Sequence, residues 1–236
     1  MKKLILLSLF AIVFGVSDIL ADIKFIPVEH ASMAIKYNNL TILIDPVGNI
    51  DQYVSIDKPD LVLITHTHGD HLKPELLDKL VNENTTVIGP KAVTDDLGYG
   101  TTLVNGDKTT FKKIIIEAIA MYNTTEERLK FHPKGKGNGY VLTLGDERVY
   151  ISGDTEDIPE IRALENIDYA FICMNLPYTM TAEQAASAVI QFQPKKVYPY
   201  HYRQRDGFAD INKFKTLVNN GCYSEVVFLD WYPKAN

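Results

Sequence analysis

Cysteine is scarce in this chain, two residues among 236, and the supply of positive charge is short, with Lys+Arg 24 against Asp+Glu 30. The first shortage excludes a disulfide-stapled scaffold. The second leaves a formal charge of −6, and an acidic surface repels the phosphate backbone that supplies non-specific nucleic-acid affinity. No nucleic-acid partner is expected. Residues 22–236 contain no Pro/Ser-rich linker, low-complexity run or tandem repeat, so they read as one domain. With 46% hydrophobic and 23% charged residues, a chain of this length can bury a core without a metal or disulfide to hold it.

Long apolar runs are lacking too. The most extended one, Leu4 to Val16, follows Lys2 and Lys3 and precedes Ser17-Asp18-Ile19-Leu20-Ala21. It falls short of the ~20 apolar residues of a membrane span and has the layout of a secretory signal peptide cleaved after Ala21. Residues 1–21 are therefore set apart, and a periplasmic or secreted protein with no stable membrane span is expected. Cleavage leaves 22 basic and 29 acidic residues, a charge of −7. Export would permit a bridge between Cys173 and Cys222. Cys173 sits in the apolar run Ala170–Met174, however, and two unpaired thiols are the preferred reading.

The remaining pattern is bipartite. Short runs over Ile23–Val28, Ser32–Tyr37 and Leu40–Asp45 predict a meander, Leu61–Thr65 a buried strand, and Pro74 the first turn of a helix reaching about Val81. The second half predicts strands over Ile114–Met121, Tyr140–Leu144, Arg148–Ser152, Tyr169–Met174, Lys196–Tyr200 and Val226–Trp231. Helices are expected near Pro159 and over Thr181–Phe192. Strands mixed with helices in two similar halves indicate an α/β sandwich of two sheets with outer helices.

The informative segment is Thr65-His66-Thr67-His68-Gly69-Asp70-His71, directly after a buried strand. His66 and His68 share one side of an extended backbone, and a turn at Gly69 lets Asp70 and His71 swing to the same point. Asp154, after Gly153, and His201 each follow a predicted strand, the end at which α/β folds gather ligands.

The H-x-H-x-D-H loop, the later Asp after a Gly and the final His resemble the metallo-β-lactamase superfamily over residues 22–236. The likeness is nearest to its compact branch of ascorbate-phosphate lactonase-like metal-dependent hydrolases. The segments that carry it are Glu29-His30-Ala31-Ser32, Ile44-Asp45-Pro46, Gly137–Tyr140, Ser152–Thr155, Leu176–Met180 and Tyr200-His201-Tyr202. The resemblance implies a four-layer αββα sandwich. It also implies a first metal on His66 and His68, a second on Asp70, His71 and His201, and Asp154 bridging them. Imidazole and carboxylate suit one or two Zn2+, with Mn2+ or Fe as alternatives, and the implied chemistry is hydrolysis by metal-activated water.

Some positions leave alternatives open. Where the branch places a third histidine for the first metal, this chain has Tyr122-Asn123-Thr124, and Asn123 is a poor zinc ligand. His132 either completes that site, donates a proton to substrate, or is an exposed loop histidine. Asp70 and His132 are the candidates for direct catalytic roles. Asp45 either fixes the tautomer of a ligand histidine or is a turn residue before Pro46. His30 borders the pocket or is a buried structural histidine, and Tyr178, with Tyr122 and Tyr202, is a candidate pocket wall. Lys134, Lys136, Arg203 and Arg205 read as solvated loop charge, and if they face the centre they suit an anionic substrate.

The favoured function is an exported hydrolase of a small lactone, phosphoester or amide. A non-catalytic metal-binding module with a degenerate first site, motivated by Asn123, is the alternative. His68, in place of a carboxylate, disfavours a flavodiiron-like oxidoreductase, and the chain is too short for the large inserted domain of the nucleic-acid-processing branch.

Overall fold

The computed structural model describes residues 23–232. The signal peptide expected over residues 1–21 lies outside them. The first sheet is formed by β1 (Ile23–Glu29), β2 (Ser32–Tyr37), β3 (Leu40–Ile44), β4 (Leu61–Leu63), β5 (Thr86–Gly89) and β6 (Thr101–Thr102), in that order. It is antiparallel through β3 and parallel from β3 onward. Helices α1 (Pro74–Leu80) and α2 (Lys91–Leu97) supply its crossovers.

The second sheet contains β7 (Lys108–Phe111), β8 (Ile114–Met121), β9 (Gly137–Leu144), β10 (Glu147–Ile151), β11 (Tyr169–Cys173), β12 (Lys196–Tyr200) and β15 (Glu225–Val226). Its spatial order is β15-β12-β11-β10-β9-β8-β7. Between its strands lie α3 (Pro159–Arg162), α4 (Ala182–Phe192), a small ribbon of β13 (Arg203–Gln204) and β14 (Gly207–Phe208), and α5 (Ile211–Gly221).

The period of two along the strands sorts side chains between layers. Met33, Ile35, Ile42, Ile44, Leu61 and Leu63 enter the core between the sheets. Their neighbours Ala34, Leu43, Val62 and Ile64 pack instead with Leu76, Leu77 and Leu80 of α1 and Val93 of α2. A strand buried on both faces must read as a continuous apolar run, which is why Leu61–Ile64 is uninterrupted. On the other sheet, Ala185, Ala186, Ala188 and Val189 of α4 and Phe214 and Val218 of α5 complete the outer layer. Thr181 and Gln184 cap α4 reciprocally: the Thr181 hydroxyl accepts from Gln184 N–H at 3.1 Å and the Gln184 amide oxygen from Thr181 N–H at 2.9 Å. The layering is an α/β sandwich, as the sequence pattern indicates.

Two strands differ from expectation. The strand expected over Val226–Trp231 pairs with β12 only at Glu225 and Val226. Beyond Val227 the chain turns inward to bury Trp231, its ring 5.6 Å from Tyr200 and 6.2 Å from Phe171. Strand β4 ends at Leu63, because Thr65 N–H leaves the ladder and donates to the Asp45 carboxylate. Cys173 and Cys222 are free thiols.

Leu63 is fully buried between the sheets, immediately ahead of the histidine loop. Leu63→Ala is expected to destabilise the protein by about 2–5 kcal/mol, read from urea unfolding at unchanged slope.

Candidate metal centre

Seven of the candidate side chains leave the C-terminal ends of strands on one edge of the sandwich: Asp45 after β3, the His66–His71 loop after β4, Asp154 after β10 and His201 after β12. The two sheets are fastened to each other at this edge. Tyr140 donates its hydroxyl to the Ile64 carbonyl at 2.7 Å, and Asn138 N–H reaches the Thr65 carbonyl at 2.9 Å. Glycine at 153 serves a close approach: with φ +59, a Cβ there would stand 2.6 Å from Met121 Sδ and 3.1 Å from Thr65 Cβ. Gly153 thus lets Asp154 come up against the histidine loop.

Asp45 is fully buried with φ +43 and organises that loop. One carboxylate oxygen accepts Thr65 N–H at 2.7 Å; the other accepts the Thr65 hydroxyl and lies 2.7 Å from His71 Nδ1. A carboxylate acceptor at Nδ1 assigns the proton there and leaves the Nε2 lone pair facing inward. His71 Nε2 lies 2.9 Å from His201 Nε2, and each lies 3.4 Å from Asp154 Oδ1. Asp70 Oδ2 is 3.5 Å from His201 Nε2.

A second group adjoins the first. His66 Nε2 is 3.0 Å from His68 Nδ1, and single donor atoms of His66, His68 and His132 lie within 4.8 Å of one another. His132 is buried, with Nε2 3.3 Å from the other oxygen of Asp154. Its Nδ1 lies 3.2 Å from the Tyr178 carbonyl. Asn123 sits behind this ring, on the Nδ1 side, and donates its amide to the carbonyls of Arg128 and Tyr178 at 2.9 and 2.7 Å. Its amide nitrogen thus braces His132 from the outer side. His30 is buried as well, but its ring bonds to side chains: Nε2 is 3.1 Å from Asp70 Oδ2 and Nδ1 2.7 Å from the Tyr232 hydroxyl.

Whether these residues suit a cation is decided by the nitrogen pairs. Imidazole lone pairs 2.9 and 3.0 Å apart repel unless a proton or a metal ion stands with them. Asp154 Oδ1 and His132 Nε2 are buried without any hydrogen bond of normal geometry. The electrostatics agree. Burial disfavours ionised Asp154, yet His201 and His71 pull its carboxyl well below the usual carboxylate range. Burial also opposes charge on His71, but Asp154 and Asp45 outweigh it and hold this imidazole well above its ordinary value. Burial, with the neighbouring His71, drives His66 well below. The donor set demands positive charge at its centre and fits metal ions.

A family model for the beta-lactamase superfamily domain matches residues 24–201. The chain belongs to the beta-lactamase superfamily. Among relatives, it is 30% identical over 225 residues to a UPF0173 metal-dependent hydrolase of Thermococcus onnurineus, covering 85% of this chain and 93% of that protein. A solved structure from Parabacteroides distasonis, described as a candidate metal-dependent hydrolase, shares 40% identity at a TM-score of 0.83, covering 89% and 94% of the two chains. A metallo hydrolase from Ignicoccus hospitalis, at 23% identity and TM-score 0.74 over 88% and 94%, shares the superfamily fold.

Next to the donor atoms a hollow of about 380 Å³ is lined by His68, Asp70, Phe131, His132, Asp154, Asn175 and Tyr178. Phe131 and Tyr178 meet edge to face, 5.1 Å between centroids. Tyr122 turns away to donate to Glu160, and Tyr202 packs on Phe208 and Tyr232. Lys134 pairs with Glu160 and Arg203 lies over the Tyr232 ring, whereas Lys136, with Lys130, lines an adjoining hollow beside His66, His68 and His132.

Glu156 was not singled out by the sequence reading, although it lies two residues beyond Asp154. Its buried carboxylate accepts Thr124 N–H at 2.7 Å and Thr125 N–H at 2.6 Å and pairs with Arg128. These bonds hold down the start of the loop that delivers His132. Glu156→Ala is expected to cost about 3 kcal/mol of unfolding free energy. It is also expected to lower the metal content at the His66/His68/His132 position, measured by elemental analysis after gel filtration.

Proposed function

We propose that this protein is an exported metal-dependent hydrolase that cleaves a small lactone, phosphoester or amide bearing an anionic group. The carrying observation is the division of Asp154 between two clusters, Oδ1 toward His71 and His201 and Oδ2 toward His132. His66, His68 and His132 would hold one cation and Asp70, His71 and His201 the other, with Asp154 shared. Bound there, Zn2+, Mn2+ or Fe supplies Lewis acidity that lowers the pKa of water toward neutrality and polarises the bond under attack.

The protein's own groups supply the remainder. Asp45 and the Tyr178 carbonyl fix the tautomers of His71 and His132, so no reorganisation is required when substrate arrives. Phe131 and Tyr178 line the hollow and give it an apolar wall. Asp70 is 48% exposed and commits Oδ2 to His30 and His201, which leaves Oδ1 to take the proton of the attacking water. Lys136, in no ion pair among the described residues, is placed to receive a carboxylate or phosphate. The names of the relatives support the hydrolase reading, and the N-terminal sequence Lys2 to Ala21 supports export.

Metal-stripped protein reloaded with Zn2+ or Mn2+ is expected to bind two cations per chain and to turn over at least one class in a panel of lactones, phosphoesters and amides. Asp154→Ala is expected to lower kcat/KM by more than about a hundredfold, since even outer partners of metal ligands carry 10–100-fold effects. Two bound cations with no turnover of any class would favour the non-catalytic metal-binding alternative. Lys136→Ala is expected to raise KM for anionic substrates about tenfold, an interaction of about 1.4 kcal/mol, and to leave neutral analogues unchanged.

A further inference from the structure

His30 is the one of the chain's six histidines that holds neither cation in the arrangement just described. It occupies the two-residue turn between β1 and β2, where Glu29 pairs with Ser32. Its φ is +59, a conformation that such turns ordinarily assign to Gly, Asn or Asp. A histidine kept in left-handed backbone is strained, and strain of this kind clusters at functional sites.

What the turn achieves is the placement of one nitrogen. His30 Nε2 and His201 Nε2 approach the same oxygen, Asp70 Oδ2, at 3.1 and 3.5 Å. One donor atom from each of His30, Asp70 and His201 falls within 4.8 Å of the other two. Metal–nitrogen and metal–oxygen bonds of about 2.0–2.2 Å span that kind of separation. The His30 ring lies over His201, 3.8 Å between centroids, so both rings reach the point from one side.

The opposite nitrogen is anchored as the outer nitrogen of a metal-bound imidazole usually is. His30 Nδ1 lies 2.7 Å from the Tyr232 hydroxyl, which can take the Nδ1 proton or donate its own, and the same oxygen accepts Arg203 N–H at 3.2 Å. With the proton on Nδ1, the Nε2 lone pair faces a carboxylate oxygen. Two acceptors at 3.1 Å are tenable only with a cation beside them.

We infer that His30 is an additional protein ligand of the second cation, an inference that rests on the two-cation reading above. The second position then has five donors, His30, Asp70, His71, Asp154 and His201, against four at the first, His66, His68, His132 and Asp154. The centre becomes unequal. Four donors suit tetrahedral Zn2+, whereas three nitrogens and two oxygens suit a cation that takes five or six ligands, such as Mn2+ or Fe. The rival arrangement puts the proton on Nε2, donated to Asp70, and makes His30 a positioning residue for that carboxylate.

Cadmium of a spin-active isotope, bound to protein carrying isotope-labelled histidine, separates the two. Each ligating imidazole nitrogen shows a one-bond coupling to the metal, and a positioning histidine shows none. Six coupled histidines are expected in the wild type and five in His30→Asn, chosen because Asn tolerates positive φ. The second cadmium is expected to bind at least about tenfold more weakly to that variant. Five coupled histidines in both proteins, with two cadmium ions bound to each, overturn His30 as a ligand and leave the centre intact. Fewer than two cadmium ions per wild-type chain overturn the centre and His30 with it. The count in the wild type is independent of how the variant folds.

Discussion

Two carboxylates, Asp45 and Asp154, are buried at one edge of the sandwich with no lysine or arginine paired to either among the described residues. Removing an ion of this kind from water costs several kcal/mol unless nearby charge and hydrogen bonds compensate. Here the compensation comes from Thr65, which donates its N–H and hydroxyl to Asp45, and otherwise from imidazole and from the cations imidazole can bind. That requirement explains why His71, His201 and His132 are all aimed at the Asp154 oxygens. It also explains the effort the fold makes to bring the sheets together at this edge, through Tyr140, Asn138 and the bare backbone of Gly153.

The part of the site that could be read from sequence is the part built by local geometry. The spacing of His66, His68, Asp70 and His71 already brings four donors toward one point, and Asp154 and His201 follow apolar runs that announce strands. His132 was harder, since its position depends on a loop of fifteen residues between β8 and β9, held by Asn123, Glu156 and the Tyr178 carbonyl. Nothing in the spacing of Asn123 and His132 says that the first braces from the outer side and the second enters the site. His30 was least legible, because its partners Asp70 and Tyr232 lie 40 and 202 positions away.

The fold shows the same division. Strands β4 and β11 are continuous apolar runs, and β2 and β3 are apolar but for Ser32, Lys36 and Thr41, so all four were evident. Helix α5 was missed, because only Phe214 and Val218 of its eleven residues are buried and its polar face hides the period. Strands β5, β6 and β7 were missed as short edge or near-edge segments rich in Thr, Lys and Gly. The last strand was overextended because Val226–Trp231 has strand-like composition, while the burial of Trp231 required the chain to leave the sheet.

The contact between His30 and Tyr232 joins nearly the two ends of the described chain. A nascent polypeptide lacks this contact until Tyr232 has been synthesised, and His201 is itself a late arrival. No precursor that stops short of His201 carries the whole donor set, so the cluster closes only late in synthesis. Ions can therefore be captured only after both halves of the chain have been made, whichever metal the ligands prefer.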